Sequence, residues 1–439
     1  MNRIVFAILI ITVVSSITNA KYSGGSGSVN NPYLISTAED MNQIGHDSND
    51  WNKHFKMTAD INLCAYSGTQ FNRIGTDDAH PFSGVFDGNW HTIRGFTYTA
   101  ENGDYIGVFG NVNAAGKIEN VSLIDVNVTG RDYVGGLVGE NKGTISNCYS
   151  TGYVTGGDNS VNLGGLVGDN FGGSISNCYS TGAVTGGNES MSLGGLAGGN
   201  YGNISNCYST GAVTGTYYVG GLVGGNEESG TVNNCYSTGY VTGGDNSINL
   251  GGLAGGNVGN ISNCYSTGAV TGGNESTGIG GLVGGNYYGG NISNCYSTGA
   301  VTGTYDLGGL AGLNEDSINS SYFLVTSGPN NGMGTPLTDA NMKQQSSFAG
   351  WDFVWETVNG PNDIWAICEG VSYPKLNWQF VPGDSDNDKD VDSFDFARMG
   401  LKWRQADANL YCNGMDLNGD GWVDWKDMAI MCDHWLEGL

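Results

Sequence analysis

From Tyr133 to Gly312 apolar residues do not gather into long runs but recur singly, at fixed places in one repeated phrase. Gly-Gly-Leu-(Val/Ala)-Gly places a Leu at Leu137, Leu166, Leu196, Leu222, Leu253, Leu282 and Leu310. Asn-Cys-Tyr-Ser-Thr-Gly follows and places a Cys at Cys148, Cys178, Cys207, Cys235, Cys264 and Cys295, so that Leu and Cys together recur in steps of 26 to 31 residues. A unit that short cannot bury its own apolar face and must stack on copies of itself, so the pattern predicts a solenoid. No repeat shows the i, i+3, i+4 spacing of an amphipathic helix, and Gly interrupts each one every few residues. The remaining β-branched or aromatic runs, such as Thr144 to Ser150 and Tyr153 to Thr155, predict three short strands and three turns per coil of a parallel β-helix.

Within a coil Ile145 and Cys148 differ by three, which breaks strict alternation, so Asn147 is expected at a bend, where Asn tolerates left-handed backbone. In the degenerate coil before it Val121 stands where Cys148 does. That places the Cys column inside and the Tyr column (Tyr149, Tyr179, Tyr208, Tyr236, Tyr265, Tyr296) outside, with Leu137, Ile145, Val154 and their equivalents completing the core. Six thiols at strand spacing are within reach of disulfides, but side chains in register point the same way, which favours free thiols packing as small hydrophobes. The Tyr column either stacks sugars or shields the sheet.

The recurring order Gly-Gly-Leu-Val-Gly-(Glu/Asp/Gly)-Asn, then Asn-Cys-Tyr-Ser-Thr-Gly-x-Val-Thr-Gly, resembles the GLUG motif of secreted and surface bacterial proteins over about Gly107 to Gly312. The resemblance implies a right-handed parallel β-helix. Inside it, Gly-Gly-Asp-Asn-Ser recurs at Gly156 to Ser160 and Gly243 to Ser247, and Thr-Gly-Thr-Tyr at Thr214 to Tyr217 and Thr302 to Tyr305. A three-coil block has been duplicated, with its loops expected along one edge.

Outside the repeats, Arg3 and the apolar run Ile4 to Val14 predict a cleaved signal peptide over 1–20, too short for a membrane span. Over 21–130 an N-terminal cap and irregular first coils are expected, with a capping box at Ser36-Thr37-Ala38-Glu39 starting a short helix near Thr37 and the first coils starting at Phe82 to Asn89. The regular coils fill 131–316. Over 317–380 the repeat fails and Trp351, Phe353, Trp355, Trp365, Tyr373 and Trp378 predict a closing cap, with a helix within Thr338 to Gln345.

The last segment, 381–439, is rich in Asp. Asp384, Asp386, Asp388, Asp392 and Asp395 repeat the spacing of Asp416, Asn418, Asp420, Asp424 and Asp427, 32 residues on. Oxygen ligands at positions 1, 3, 5, 9 and 12, with the backbone carbonyls of Asp390 and Trp422 at position 7, wrap one Ca²⁺ per loop. Asp at position 12 and the lack of an entering helix depart from the EF-hand pattern and resemble type I dockerin modules. The resemblance implies a small α-helical, calcium-loop domain that binds a cohesin-type partner, with Ser393, Phe394, Trp425 and Lys426 as the partner-choosing residues. Lys389 stands where Gly is usual, which weakens the first loop. Cys412 and Cys432 are candidates for a bridge.

Charge narrows the function. With 42 acidic against 16 basic residues and net charge −26, the chain repels nucleic acid and anionic lipid. Between Lys142 and Lys343 there is no Lys, Arg or His, which argues firmly against a lyase built on the repeats, since that reaction needs a strong base and a cation for a uronate. A hydrolase needs only two carboxylates. Glu140 and Asp169 stand at equal places in successive coils, about 5 Å apart, though they read as well as solvated variants of a turn filled elsewhere by Gly199, Gly225, Gly256 and Gly285. His46, His54, His80 and His91 show no ligand spacing, and no catalytic residue is assigned. The expected protein is all-β apart from the calcium module: secreted, non-catalytic, held by that module to a cohesin-bearing or cell-surface assembly, its solenoid contacting a polysaccharide, another glycan or a protein. A glycoside hydrolase carried by the same module is the alternative.

Overall fold

Each repeat closes into one coil because its strands pair with the same strands one repeat away, all in parallel and in register. Ile145 lies against Ile175 and then Ile204; Val154 lies against Val184 and then Val213. The computed structural model describes residues 21–354, 362–380, 391, 393–404, 415–417 and 422–435. Over them the chain forms a β-solenoid of about nine turns. One sheet has eleven strands, from Tyr33–Ile35 to Ser317–Asn319, and a second has eight, from Phe109–Val112 to Ala311–Asn314. A third wall carries the longer arms, such as Tyr149–Gly164. The interior is one continuous apolar column from Tyr22 to Phe323, with the Leu, Ile, Val and Cys columns all buried.

The six repeat thiols are free, and each lies about 3.1–3.2 Å from the carbonyl two residues earlier, as Cys178 does from Ser176. Burial pushes the thiols of Cys148, Cys178, Cys207 and Cys264 up. Those four pack as uncharged hydrophobes. Asn147 and its equivalents Asn120, Asn177, Asn206, Asn234, Asn263 and Asn294 take the expected left-handed bend, with φ of 51–55°.

A second Asn column, not expected from the sequence, ends each Gly-Gly-Leu-(Val/Ala)-Gly-x-Asn phrase. Asn141, Asn170, Asn200, Asn226, Asn257 and Asn286 are buried, and each donates through Nδ2 to Oδ1 of the next, ending at Asn314, at 2.7–2.8 Å. The same Nδ2 groups also reach backbone carbonyls of the turn, such as Gly202 and Gly230. A buried amide is costly unless its partners are met, so the ladder holds only when successive coils superimpose.

Repeat length varies without disturbing this register because the extra residues leave the wall between Gly156 and Val161 and at the equivalent point before Ile248. The exposed Gly157 to Asn159 loop lies there. Its Asn159 N–H donates to Asn188 O of the next coil at 2.8 Å.

Both ends differ from expectation. Helix α1, Ala38–His46, has its capping box on Thr37 and Asp40 rather than Glu39, because Asp40 is the residue at N3: Oδ2 accepts from Thr37 N at 3.1 Å. Coiling begins before Phe82, since Tyr33–Ile35 already pairs with His54–Met57, and that strand with Val85–Asp87. At the other end the coils run past Ser317 through Tyr322–Leu324 and Thr335–Leu337 before α2, Asp339–Met342. The cap then folds back along the flank and buries Trp351, Phe353 and Trp365 against Tyr265, Tyr296 and Tyr322. Trp355 and the signal peptide expected over 1–20 lie outside the described residues.

In the last segment α3, Ser393–Lys402, and α4, Trp425–Asp433, share a small core of Val391, Met399, Met415, Leu417, Val423 and Met431. Cys432 is a free, exposed thiol, so the bridge considered for it is not formed. Cys412 lies outside the described residues, and Cys368 in the cap is disulfide-bonded.

Asn226→Ala strips one rung and leaves Asn200 and Asn257 each short of a partner. It is expected to cost about 2–4 kcal/mol in urea unfolding followed by far-ultraviolet dichroism. The exposed Asn188→Ala should stay within about 0.5 kcal/mol of the parent.

Candidate functional site

A groove runs along the eight-stranded wall, and its floor is the position before each ladder Asn. Along that row Asn111, Glu140, Asp169, Gly199, Gly225, Gly256 and Gly285 are successive register partners. One rim is made by a second left-handed column, Tyr105, Tyr133, Asn162, Ser192, Tyr218 and Asn249, with φ of 52–60°. Its backbone lies so close to the neighbouring wall that only Gly fits opposite: a Cβ on Gly168 would stand 2.5 Å from Tyr133 C and Val134 N. The other rim comes from the residue after each ladder Asn, including Lys142, Phe171, Tyr201, Glu227 and Tyr287. Two cavities lie along the groove, one of about 270 Å³ around Glu140 and Asp169 and one of about 360 Å³ around Tyr218, Glu227 and Tyr287.

The first cavity holds the carboxylate pair expected from the sequence, and the structure buries both members. Glu140 and Asp169 are 5% and 2% exposed, which removes the reading of solvated turn variants. Glu140 Oε1 accepts from Lys142 Nζ at 2.7 Å and Asn111 Nδ2 at 3.1 Å. Asp78, 64 residues from Lys142, completes the cluster by taking Lys142 Nζ and Asn111 Nδ2. Asp169 differs: its Oδ1 is buried with no hydrogen-bond partner. The carboxylate leans over Gly199, 2.5 Å from where a Cβ there would stand.

Electrostatics separate the two acids. Burial first, then the charges of Glu140 and Glu227, push Asp169 up to about 7, with Lys142 partly offsetting. Burial also raises Glu140, but its bond to Lys142 opposes the rise. Lys142 loses some basicity to burial and regains more from Asp78 and Glu140, so it stays charged. Burial, then nearby carboxylates, carries the Tyr105 and Tyr201 phenols up to about 12. The cavity therefore presents one ion-paired carboxylate, one unpaired acid and four rings, with Tyr105 and Tyr133 stacked at 4.9 Å and Phe171 and Tyr201 tilted by 51° at 5.4 Å.

Six segments, 130–155, 159–185, 189–214, 215–242, 246–271 and 275–302, match the family described as the GLUG motif. The repeats are GLUG motifs. The coils at each end continue the stack beyond the matched segments. Over 152 residues, 33% of this chain, it is 36% identical to Halomucin of Haloquadratum walsbyi, and over 140 residues, 30% of this chain, 36% identical to a Gly-rich membrane protein of Evansella cellulosilytica. The chain spans only 2% and 16% of those relatives' lengths. Among solved structures it resembles one from Bacteroides ovatus assigned as an immunoglobulin A1 protease, with TM-score 0.50 and 27% identity over 58% of this chain and 81% of that one.

Elsewhere on the GLUG coils the Tyr column is a ladder from Tyr149 to Tyr296, with centroids 4.5–5.0 Å apart and planes within 9°. Each ring face is taken by the next ring, so inner rungs offer only edges. The cap covers the lower half: Trp378 lies 5.8 Å from Tyr236 and donates Nε1 to Asn234 O, and Tyr296 donates to Pro374 O. The ladder shields the sheet and leaves little face for sugars. His80 pairs with Asp77 and His91 with Asp60.

Of the residues expected to ligate calcium, Asp384, Asp386, Asp388, Asp390, Asp392, Asn418 and Asp420 lie outside the described residues. Asp395, Asp416 and Asp427 are buried, and Trp422 is exposed. Asp424 caps α4, and Asp427 accepts from Leu417 N and Asp424 N, both at 2.7 Å. Among the described residues no three His, Cys, Asp or Glu side chains are grouped to hold a metal ion. The four positions expected to choose a partner stand at the starts of the two helices, with Ser393 and Lys426 beside the widely exposed Phe394 and Trp425.

Because Asp169 is raised from 3.8 to about 7 in the fold, folded protein holds a proton that unfolded chain releases. That carboxyl costs stability progressively from pH 4 to 7 and by a constant amount above. Asp169→Asn should therefore melt higher than the parent, with the gap widening over that window to at most about 4 kcal/mol and then levelling. Thermal unfolding at several pH values measures it.

Proposed function

We propose that this is an exported, non-catalytic glycan-binding rod, tethered through its C-terminal segment by Ca²⁺ to a cohesin-type partner on a polysaccharide-degrading or cell-surface assembly. The observation that carries the reading is the groove, where rings and buried polar side chains alternate along a rigid row, the composition expected of a sugar-binding cleft. A polymer suits it better than a small ligand. Cavities of 270 and 360 Å³ are at or below the low end of the ~300–1,000 Å³ that takes a whole drug-sized ligand, and both lie on one row. A surface setting accords with Halomucin and the Gly-rich membrane protein as relatives, and among the described residues no helix is long and apolar enough to cross a membrane.

For the tether, the donor set is all oxygen, which suits Ca²⁺. Asp384, Asp386, Asp388, the Asp390 carbonyl, Asp392 and Asp395 would hold one ion, and Asp416, Asn418, Asp420, the Trp422 carbonyl, Asp424 and Asp427 the other. Support comes from the burial of Asp395, Asp416 and Asp427 in so small a core, and from Asp427 drawing Leu417 and Asp424, near the two ends of its loop, together. Phe394 and Trp425 at the helix starts supply an exposed apolar surface for the partner.

A glycoside hydrolase is the second reading, favoured by Glu140 and Asp169 as direct register partners with unequal acidity. Incubation with plant and algal polysaccharides is expected to release no reducing ends while immobilised glycan retains the protein. Release that disappears in Glu140→Gln or Asp169→Asn would make it the hydrolase. EDTA should open residues 381–439 to protease and leave the coils intact, because metal binding and folding are coupled. Equal cleavage with and without Ca²⁺ would remove the calcium tether.

A further inference from the structure

We propose that the cavity around Asp169 is a subsite for an organic ammonium group, the free amine of an amino sugar in the bound glycan. The inference rests on the glycan-binding reading above and adds the chemistry of the sugar. Asp169 lines the cavity, and its Oδ1, buried over Gly199, has no hydrogen-bond donor. A buried carboxylate is stable only beside a cation or several donors. Lys142 is the last basic residue before Lys343, and its ammonium is already divided between Glu140 and Asp78. Asp169 is thus the one acid of the cluster whose partner has to come from outside.

The walls agree. Phe171 and Tyr201 expose much of their rings at the cavity mouth, and Tyr105 and Tyr133 close the other side. Ring faces attract an ammonium through their quadrupole, and Phe171 already lies 5.4 Å from the Lys142 ammonium. A uronate or sulfated sugar would meet Asp78, Glu140, Asp169 and Glu227. A neutral N-acetyl sugar would leave Asp169 without its counter-charge. An ammonium donates to the Asp169 carboxylate, lies against the rings and is attracted by the net negative charge of the groove.

Ligand binding is also coupled to a proton. The charged groups facing Asp169 are Glu140, Glu227 and Lys142, and the Tyr133 and Tyr201 phenols stay neutral below pH 9. Binding of a permanently charged cation draws Asp169 into its ionised form, so affinity for such a probe rises from pH 5 to pH 8. Added salt weakens it.

Calorimetric titration of the full chain with choline, glucosamine oligomers, the matching N-acetylated oligomers and an oligolysine tests the proposal. Choline and the glucosamine oligomers should bind, the latter about tenfold or more tighter than their N-acetylated forms, the scale of one charge-assisted contact. Asp169→Asn should erase that preference. Phe171→Leu, a surface change that leaves the fold alone, should weaken choline binding severalfold. Equal binding of both oligomers overturns the ammonium subsite and leaves the glycan reading standing. Choline binding with no oligosaccharide bound overturns the amino sugar and the glycan reading together, as does a preference for oligolysine. Choline affinity unchanged in Asp169→Asn overturns the assignment to this carboxylate.

Discussion

A buried asparagine amide has to find partners, and in this solenoid they stand directly above and below it. The ladder from Asn141 to Asn314 satisfies every rung only when each coil repeats the last in register, because a slip by one residue turns side chains to the opposite face. Apolar columns alone would tolerate small shifts, since burial has no direction. The amide ladder does not. It fixes the coil-to-coil registry that brings Leu, Ile, Cys and Val into continuous columns and gives every other feature a definite height on the rod.

That rigidity makes a departure from the repeat meaningful. Where the row before each ladder Asn carries Gly199, Gly225, Gly256 and Gly285, the groove floor is bare backbone and neighbouring side chains such as Tyr218 and Tyr287 fold into the space. Where it carries Glu140 and Asp169, two carboxyls are held one coil apart, out of water. The pair is asymmetric because Lys142 and Asp78 lie on the Glu140 side, whereas the next coil toward Asp169 offers Gly199. Chemistry thus enters at the junction between the irregular first coils, which supply Asp78, Tyr105 and Asn111, and the regular GLUG repeats.

The Tyr ladder shows the opposite outcome for a repeated feature. Perfect repetition stacks the rings so closely that each consumes its neighbour's face, and the aromatic cap then folds back over the lower rungs. An exposed Tyr column in the sequence looks like a ligand platform, but stacking at 4.5–5.0 Å turns it into structure. The aromatic rims of the groove escape this because they are broken: Asn162 and Ser192 follow Tyr133, and Glu227 follows Tyr201.

The sequence by itself determined the solenoid, the inward Leu, Ile, Cys and Val columns, the left-handed Asn147 bend and the register of Glu140 with Asp169, because a repeat reports period and position directly. It also placed α1, one residue off in its cap, since Thr37 and Asp40 are local to each other. Only the tertiary structure decided that Asp169 is buried without a partner, that Asp78 reaches Lys142 from an earlier coil, that Tyr105 and Tyr133 form a rim, and that the cap lies along the Tyr ladder. Those contacts join residues with no fixed spacing. Burial, charge pairing and free ring faces belong to the neighbours a side chain meets after the chain has closed on itself.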